Sequence, residues 1–194
     1  CSSDTADYTN GVDSDTYNNT ATITATGFSD SASASVDVDC YLPSVSKTAV
    51  GSYTETHTWE VEKSASPTAL SGFLGGAAGS TTWTVTVNET VVDSAFGVSG
   101  SITVSNPHPS AAMTVSLADV LNDGTVGVIS SCTGDADLTN GLTVAAASSS
   151  TCSYSSSGLD GNETSNTATA TINGVGVSDT EAFTFVASVA GPTS

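Results

Sequence analysis

The chain predicts an all-β protein of antiparallel sheets, and three observations carry that reading. Apolar and polar residues alternate over long stretches, threonine and valine dominate those stretches, and turn pairs such as Asn140-Gly141 and Asn173-Gly174 fall between them. Alternation with period two places one face of a strand on a core, and β-branched side chains suit a pleated, half-buried surface. Asn-Gly and Asp-Gly pairs mark tight hairpin turns. No segment shows a helical period.

Residues 19–24 read as the first strand. Residues 53–62 alternate next, with Tyr53, His57, Trp59 and Val61 on the face expected to be dry. Residues 83–87 repeat the pattern, with threonine on the wet side. Further strands are expected at 98–104, 113–117, 125–129 and 142–146, and at 167–172 and 182–189. The turns between the later ones are Asn122-Asp123-Gly124, Asn140-Gly141, Asp160-Gly161 and Asn173-Gly174. Many short strands at this spacing predict a β-sandwich with one dry face per sheet.

An internal repeat organises the chain. Asn19-Thr20-Ala21-Thr22-Ile23-Thr24 returns as Asn166-Thr167-Ala168-Thr169-Ala170-Thr171. Gly27-Phe28-Ser29-Asp30 aligns with Gly174 to Asp179 after a two-residue insertion, Pro43 falls opposite Pro192, and Cys1 opposite Cys152. The period is about 149 residues. Residues 1–40 therefore read as the C-terminal part of a preceding repeat, or as exchanged strands, and 41–194 as one complete β-sandwich repeat. A partial sandwich has open edges and half a core, so 1–40 should be completed by strands from another copy.

Charge narrows the partners. The sequence has 20 acidic residues against two lysines, Lys47 and Lys63, and no arginine, for a net charge of −18. Charged residues make up 11%, against about 25% in an ordinary domain. The imbalance thus comes from missing cations, whose place is taken by 33 serines and 31 threonines. Nucleic-acid binding needs Lys and Arg against phosphates and is excluded on this ground; docking on anionic lipid is excluded likewise. No run of 18 apolar residues offers a transmembrane segment.

Trp59-Glu60-Val61-Glu62-Lys63-Ser64-Ala65-Ser66-Pro67 resembles the opening strand of the conserved-repeat domains in large bacterial and archaeal surface proteins. Residues 98–107 resemble their central strand and Asn166-Thr167-Ala168-Thr169 their closing one. The resemblance implies an immunoglobulin-like sandwich serving as stalk, adhesin or wall component, extracellular, with no catalytic residues; no cofactor is expected. Surface sandwiches of this kind also form intramolecular isopeptide bonds beside a buried carboxylate. Lys63 and Asn166 are the candidates here, the alternative being a surface Lys63 paired with Glu60 or Glu62.

The remaining sites follow from spacing. Cys132 and Cys152 flank one turn-and-strand unit suited to a local disulfide, against the alternative of two buried thiols. Cys1 and Cys40 are then the remaining pair, although the repeat would put the partner of Cys1 upstream. Cys1-Ser2-Ser3 also matches the mature start of a bacterial lipoprotein. Asp13/Asp15, Asp37/Asp39 and Asp135/Asp137 offer carboxylates to a structural Ca²⁺, but no full calcium loop accompanies them, and solvated acidic loops are the simpler reading. Neither His57 nor His108 has a zinc spacing. Asn18, Asn88 and Asn162 open glycosylation sequons. There is no nucleophile elbow and no phosphate-binding glycine motif, so the chain is not expected to be an enzyme. The expectation is an extracellular, head-to-tail homopolymer of sandwiches forming a surface filament or stalk. The alternative is an adhesin that binds a glycan or protein through its loops, with Tyr8 or Tyr17 as the aromatic platform.

Overall fold

The computed structural model describes residues 1–135 and 137–189, and among these the regular secondary structure is almost wholly strand. The strands are β1 (Val12–Ala25), β2 (Phe28–Tyr41), β3 (Ser44–Lys47), β4 (Val50–Ser66), β5 (Thr82–Asn106), β6 (Met113–Leu121), β7 (Val128–Cys132), β8 (Leu142–Val144), β9 (Ser148–Leu159), β10 (Ser165–Ile172), β11 (Val175–Ala182) and β12 (Phe185–Val189). Single 3₁₀ turns occur at Thr5–Asp7 and Leu138–Asn140. Among the described residues no helix is long and apolar enough to cross a membrane.

Two sheets share one core. The larger has the order β12-β4-β5-β9-β7 with β3 also pairing β5; the smaller has the order β11-β10-β6-β8. The core cluster lies between them, with Val98, Ile102, Val104, Cys152 and Tyr154 from the larger sheet facing Met113, Val115, Leu121, Leu142, Val144, Ala168 and Ala170 from the smaller. Each strand contributes every second residue: Met113, Val115 and Leu121 are buried while Thr114 and Ser116 are exposed. β10 and β11 are joined by Asn173 and Gly174, both at positive φ (+50° and +84°), the turn geometry this dipeptide favours.

β2, β3, β9 and most of β11 lie where no strand is expected from the sequence, and four of the expected elements differ. Residues 83–87 and 98–104 are parts of one 25-residue strand, since nothing between them breaks the backbone pairing with β4 beyond a bulge. The strand expected at 125–129 begins at Val128 instead, because 122–127 form a turn in which Gly127 N–H donates to the Asp119 carbonyl (2.9 Å). The run 182–189 is divided. Phe183 buries its ring beside Gly51 and against Phe185, which draws the chain out of the smaller sheet to the edge of the larger, where β12 pairs β4 in parallel. Finally, the face carrying Trp59 and Val61 is not dry. Both side chains are more than half exposed.

A second hairpin, β1–β2, forms a two-stranded sheet of its own. Cys1 and Cys40 are joined by a disulfide at its base, where Leu42 N–H donates to the Gly11 carbonyl (2.9 Å) and the Tyr41 ring lies 4.4 Å from that of His108. Its two-residue connection matches that of β10–β11. Asn19 and Asn166 are 147 positions apart, as are Gly27 and Gly174, and the strand partners of the two asparagines, Ala34 and Glu181, keep the same spacing. The insertion expected in this segment is therefore absent, and Ser29-Asp30 does not occupy the places of Ser178-Asp179.

Candidate functional site

Two ribbons stand uncovered. In β1–β2, paired residues share a face, so the even positions of β1 lie with the odd positions of β2 on one side, and the odd positions of β1 with the even positions of β2 on the other. The first side is a polar ladder: Ser14 donates to Asp39 (2.7 Å), Thr16 to Asp37 (2.7 Å), and Thr20 meets Ser33 (2.9 Å). The second side carries Tyr17, Ala21, Ile23, Phe28, Ala32 and Val36, all exposed. Ile23 is 69% exposed.

The outer half of β4–β5 repeats the design. Val61 opposes Val87, Lys63 opposes Val85 and Ala65 opposes Trp83 on one side, while Thr58, Glu60 and Glu62 with Thr86, Asn88 and Thr90 fill the other. The apolar side continues the core face of the larger sheet. Ala95 (φ +56°) and Phe96 together oppose Tyr53, a bulge that shifts the alternation of β5 by one. Val98, Ile102 and Val104 therefore face the core inside the body, and Val91, Val87, Val85 and Trp83 continue that face beyond it. His57 sits on this ribbon between Glu89 (2.5 Å) and Glu55 (2.7 Å), and those two hydrogen bonds raise its pKa above the usual histidine value.

Three polar side chains meet inside the body. Lys47 Nζ lies 2.5 Å from Asp119 Oδ1, with both side chains wholly buried. Asn166 Nδ2 donates to Asp119 Oδ2 (3.0 Å), and Asn166 Oδ1 is buried with no partner. The Tyr154 ring covers the ammonium at 3.3 Å from its centroid, and the phenol donates to the Thr48 carbonyl (2.7 Å). Burial lowers the Lys47 pKa, opposed by the hydrogen bond and charge of Asp119 and by Asp179. Burial, reinforced by Asp119, pushes Tyr154 up to about 12. Gly127 fits against this site because a Cβ there would occupy the position of the Asp119 carboxylate.

The structure corrects the lysine assignment. Lys63 lies on the exposed ribbon with its ammonium 4.6 Å from the centre of the Trp83 ring, whereas Asn166 is buried in the other sheet. The lysine joined to Asn166 through a carboxylate is Lys47. Its signal was present in the alternation. Val45 and Lys47, then Leu117, Asp119 and Leu121, then Asn166 and Ala168, each set a polar residue where the period places a core side chain.

Other candidates are placed as follows. Cys132 and Cys152 are disulfide-bonded and face each other across β7 and β9. Asp13 and Asp15 lie on the side of β1–β2 opposite Asp37 and Asp39, so the two pairs do not converge. Asp135 accepts the N–H groups of Asp137 and Thr143, and Asp137 accepts from the hydroxyl and N–H of Thr139, which lowers its pKa. His108 accepts the N–H groups of Ser110 and Ala111 and is committed to its loop. Asn18, Asn88 and Asn162 are exposed, the first two on the polar sides of the two ribbons. Tyr8 donates to the Ser2 carbonyl (3.0 Å), and Tyr17 belongs to the apolar side of β1–β2. Pro192 lies outside the described residues.

Fold and site together define an all-β protein with two disulfides, a two-sheet body and two amphipathic ribbons open on one side. No protein-family model, curated protein or solved structure matches the chain.

Proposed function

We propose that this chain is an extracellular structural protein that assembles head to tail into a surface filament or stalk of immunoglobulin-like sandwiches. The β1–β2 ribbon of one copy would cover the β4–β5 ribbon of the next. The supporting observation is the shared register of β1–β2 and β10–β11. Inside the body, Asn166, Ala168 and Ala170 of β10 are fully buried over the core face to which β5 contributes. In β1 the corresponding Asn19, Ala21 and Ile23 are bare, while the continuation of that same β5 face is bare as well. Each ribbon thus has the form of what the other lacks. A lone two-stranded ribbon is marginal in water, and an uncovered apolar side invites a second layer.

The contact joins two different surfaces, so it propagates instead of closing. Two disulfides accord with an oxidising compartment. Sequons on the polar sides would carry glycans away from the contact.

Sedimentation velocity tests the reading. The wild-type chain should form species that grow with concentration. Val61→Lys with Val85→Lys should stop growth, as should Ile23→Lys with Val36→Lys, since each buried valine or isoleucine contributes about 1.5–3 kcal/mol. Mixing the two variants should give a 1:1 dimer and nothing larger, because each retains one working ribbon. A wild-type particle that stays a 19.1 kDa monomer at every concentration refutes the proposal.

A further inference from the structure

We infer that Lys47 and Asn166 are the two halves of a self-forming amide crosslink, with Asp119 as the acid–base group between them. The three side chains come from separate strands, β3, β6 and β10, with the Tyr154 phenol above them. Asp119 touches both reacting groups, the amine through Oδ1 and the amide nitrogen through Oδ2. The amide carbonyl oxygen has no hydrogen-bond partner although it is buried. An orphaned buried acceptor is costly in a purely structural arrangement.

The chemistry balances within these residues. Asp119 takes a proton from the Lys47 ammonium and leaves a neutral amine. Burial, which disfavours the charged lysine, promotes that transfer. The Nζ lone pair attacks Cγ of Asn166 and forms the new C–N bond. The old Cγ–Nδ2 bond breaks, and Asp119 carries a proton from Nζ to the departing nitrogen. The products are a secondary amide and ammonia, which takes the last proton from Asp119 and departs as ammonium, so that the carboxylate is restored. No oxidant, metal or cofactor enters. Tyr154 is a positioning residue: its ring walls off water on one side of Nζ, and its hydroxyl is fixed to the Thr48 carbonyl.

A simple buried ion pair is the alternative, and intact mass separates the two. The wild-type chain, with both disulfides formed, should weigh one ammonia less than its sequence requires. Proteolytic fragments should contain a branched peptide joining Lys47 to Asn166. Asp119→Asn should keep the full mass, as should Lys47→Arg, which retains a buried cation without a nucleophilic amine. A wild-type chain at full mass overturns the proposal and needs no variant for its interpretation. An ammonia loss that maps to Asn10-Gly11, Asn140-Gly141 or Asn173-Gly174 also overturns it, because cyclisation at such pairs releases the same fragment. Loss of the mass difference on Asp119→Asn, with circular dichroism unchanged, identifies the carboxylate as a participant in bond formation.

Discussion

Removing the two disulfides one at a time should separate the body from the β1–β2 ribbon. Loop-closure entropy alone ranks the wrong bond first. Cys1–Cys40 spans 39 residues and Cys132–Cys152 spans 20, which gives about 4 and about 3 kcal/mol respectively. The structure reverses that order for the melting of the body. Cys132–Cys152 ties β7 to β9, Cys152 is fully buried, and both cysteines belong to or pack on the core. No residue of 1–40 is in that core cluster, and Tyr41 is the first to touch it. Cys132→Ala with Cys152→Ala should therefore lower the body transition by about 6–12 °C, the shift that about 3 kcal/mol produces in a domain of this size. Cys1→Ala with Cys40→Ala should move it by less than about 2 °C, because the ribbon opens as a local unit. Its effect should appear instead as faster amide exchange across 12–41. Differential scanning calorimetry reads the first quantity and hydrogen exchange the second. A body transition that falls as far without Cys1–Cys40 as without Cys132–Cys152 would refute the separation of ribbon from body.

Two further outcomes follow from the packing and the ribbon. Ile102→Ala empties the centre of the core, where the side chain is fully buried, and should cost about 2–5 kcal/mol in denaturant unfolding; a loss under about 1 kcal/mol would mean that the sheets close over the cavity. His57 should titrate above 6.5, since the hydrogen bonds to Glu89 and then Glu55 favour its charged form. A raised folded-state pKa contributes stability that is complete below 6.5 and lost as pH rises through the folded value. Amide protection in 55–60 and 86–91 should accordingly fall on the alkaline side of the His57 titration followed by NMR, and His57→Gln should flatten that dependence. An imidazole titrating at or below 6.5 removes the basis for it.

The strands that were legible owe it to alternation and turn pairs, which are local signals; β9 was missed because Ser150 and Ser156 share its buried side with Cys152 and Tyr154. Asn173-Gly174 needs only its own backbone to form a turn, and Met113 to Leu121 reveals its buried face in sequence. The sequence did not show that Trp59, Val61 and Val85 lie beyond the end of the smaller sheet, because alternation reports that a strand has an apolar side and not what covers it. The bulge at Ala95–Phe96 was equally silent, since its positive-φ residue is an alanine and not a glycine. The choice of Lys63 over Lys47 went wrong for a related reason. Lys63 follows a long, conspicuous alternating run, while the alternation at Lys47 is carried by a four-residue strand in which only Val45 precedes it on the core side. Parallel pairing of β12 with β4 depends on where the Phe183 ring finds a pocket, a tertiary event no local pattern encodes.

The position of Lys47 also decides how the body would respond to being pulled. Tension entering along β2 passes Pro43 and reaches the larger sheet first through β3, which holds β5 by only four residue pairs, Ser44 with Ser105 through Lys47 with Ile102. A strand that short would peel away pair by pair if gripped at one end. Lys47 is its last residue, anchored through Asp119 to β6 and beside Asn166 of β10. Its main-chain N–H is held as well, by Asp179 of β11 (2.8 Å). The pull is thereby handed to the smaller sheet at the far end of β3, and the four pairs are strained together as a shear instead of opening one after another.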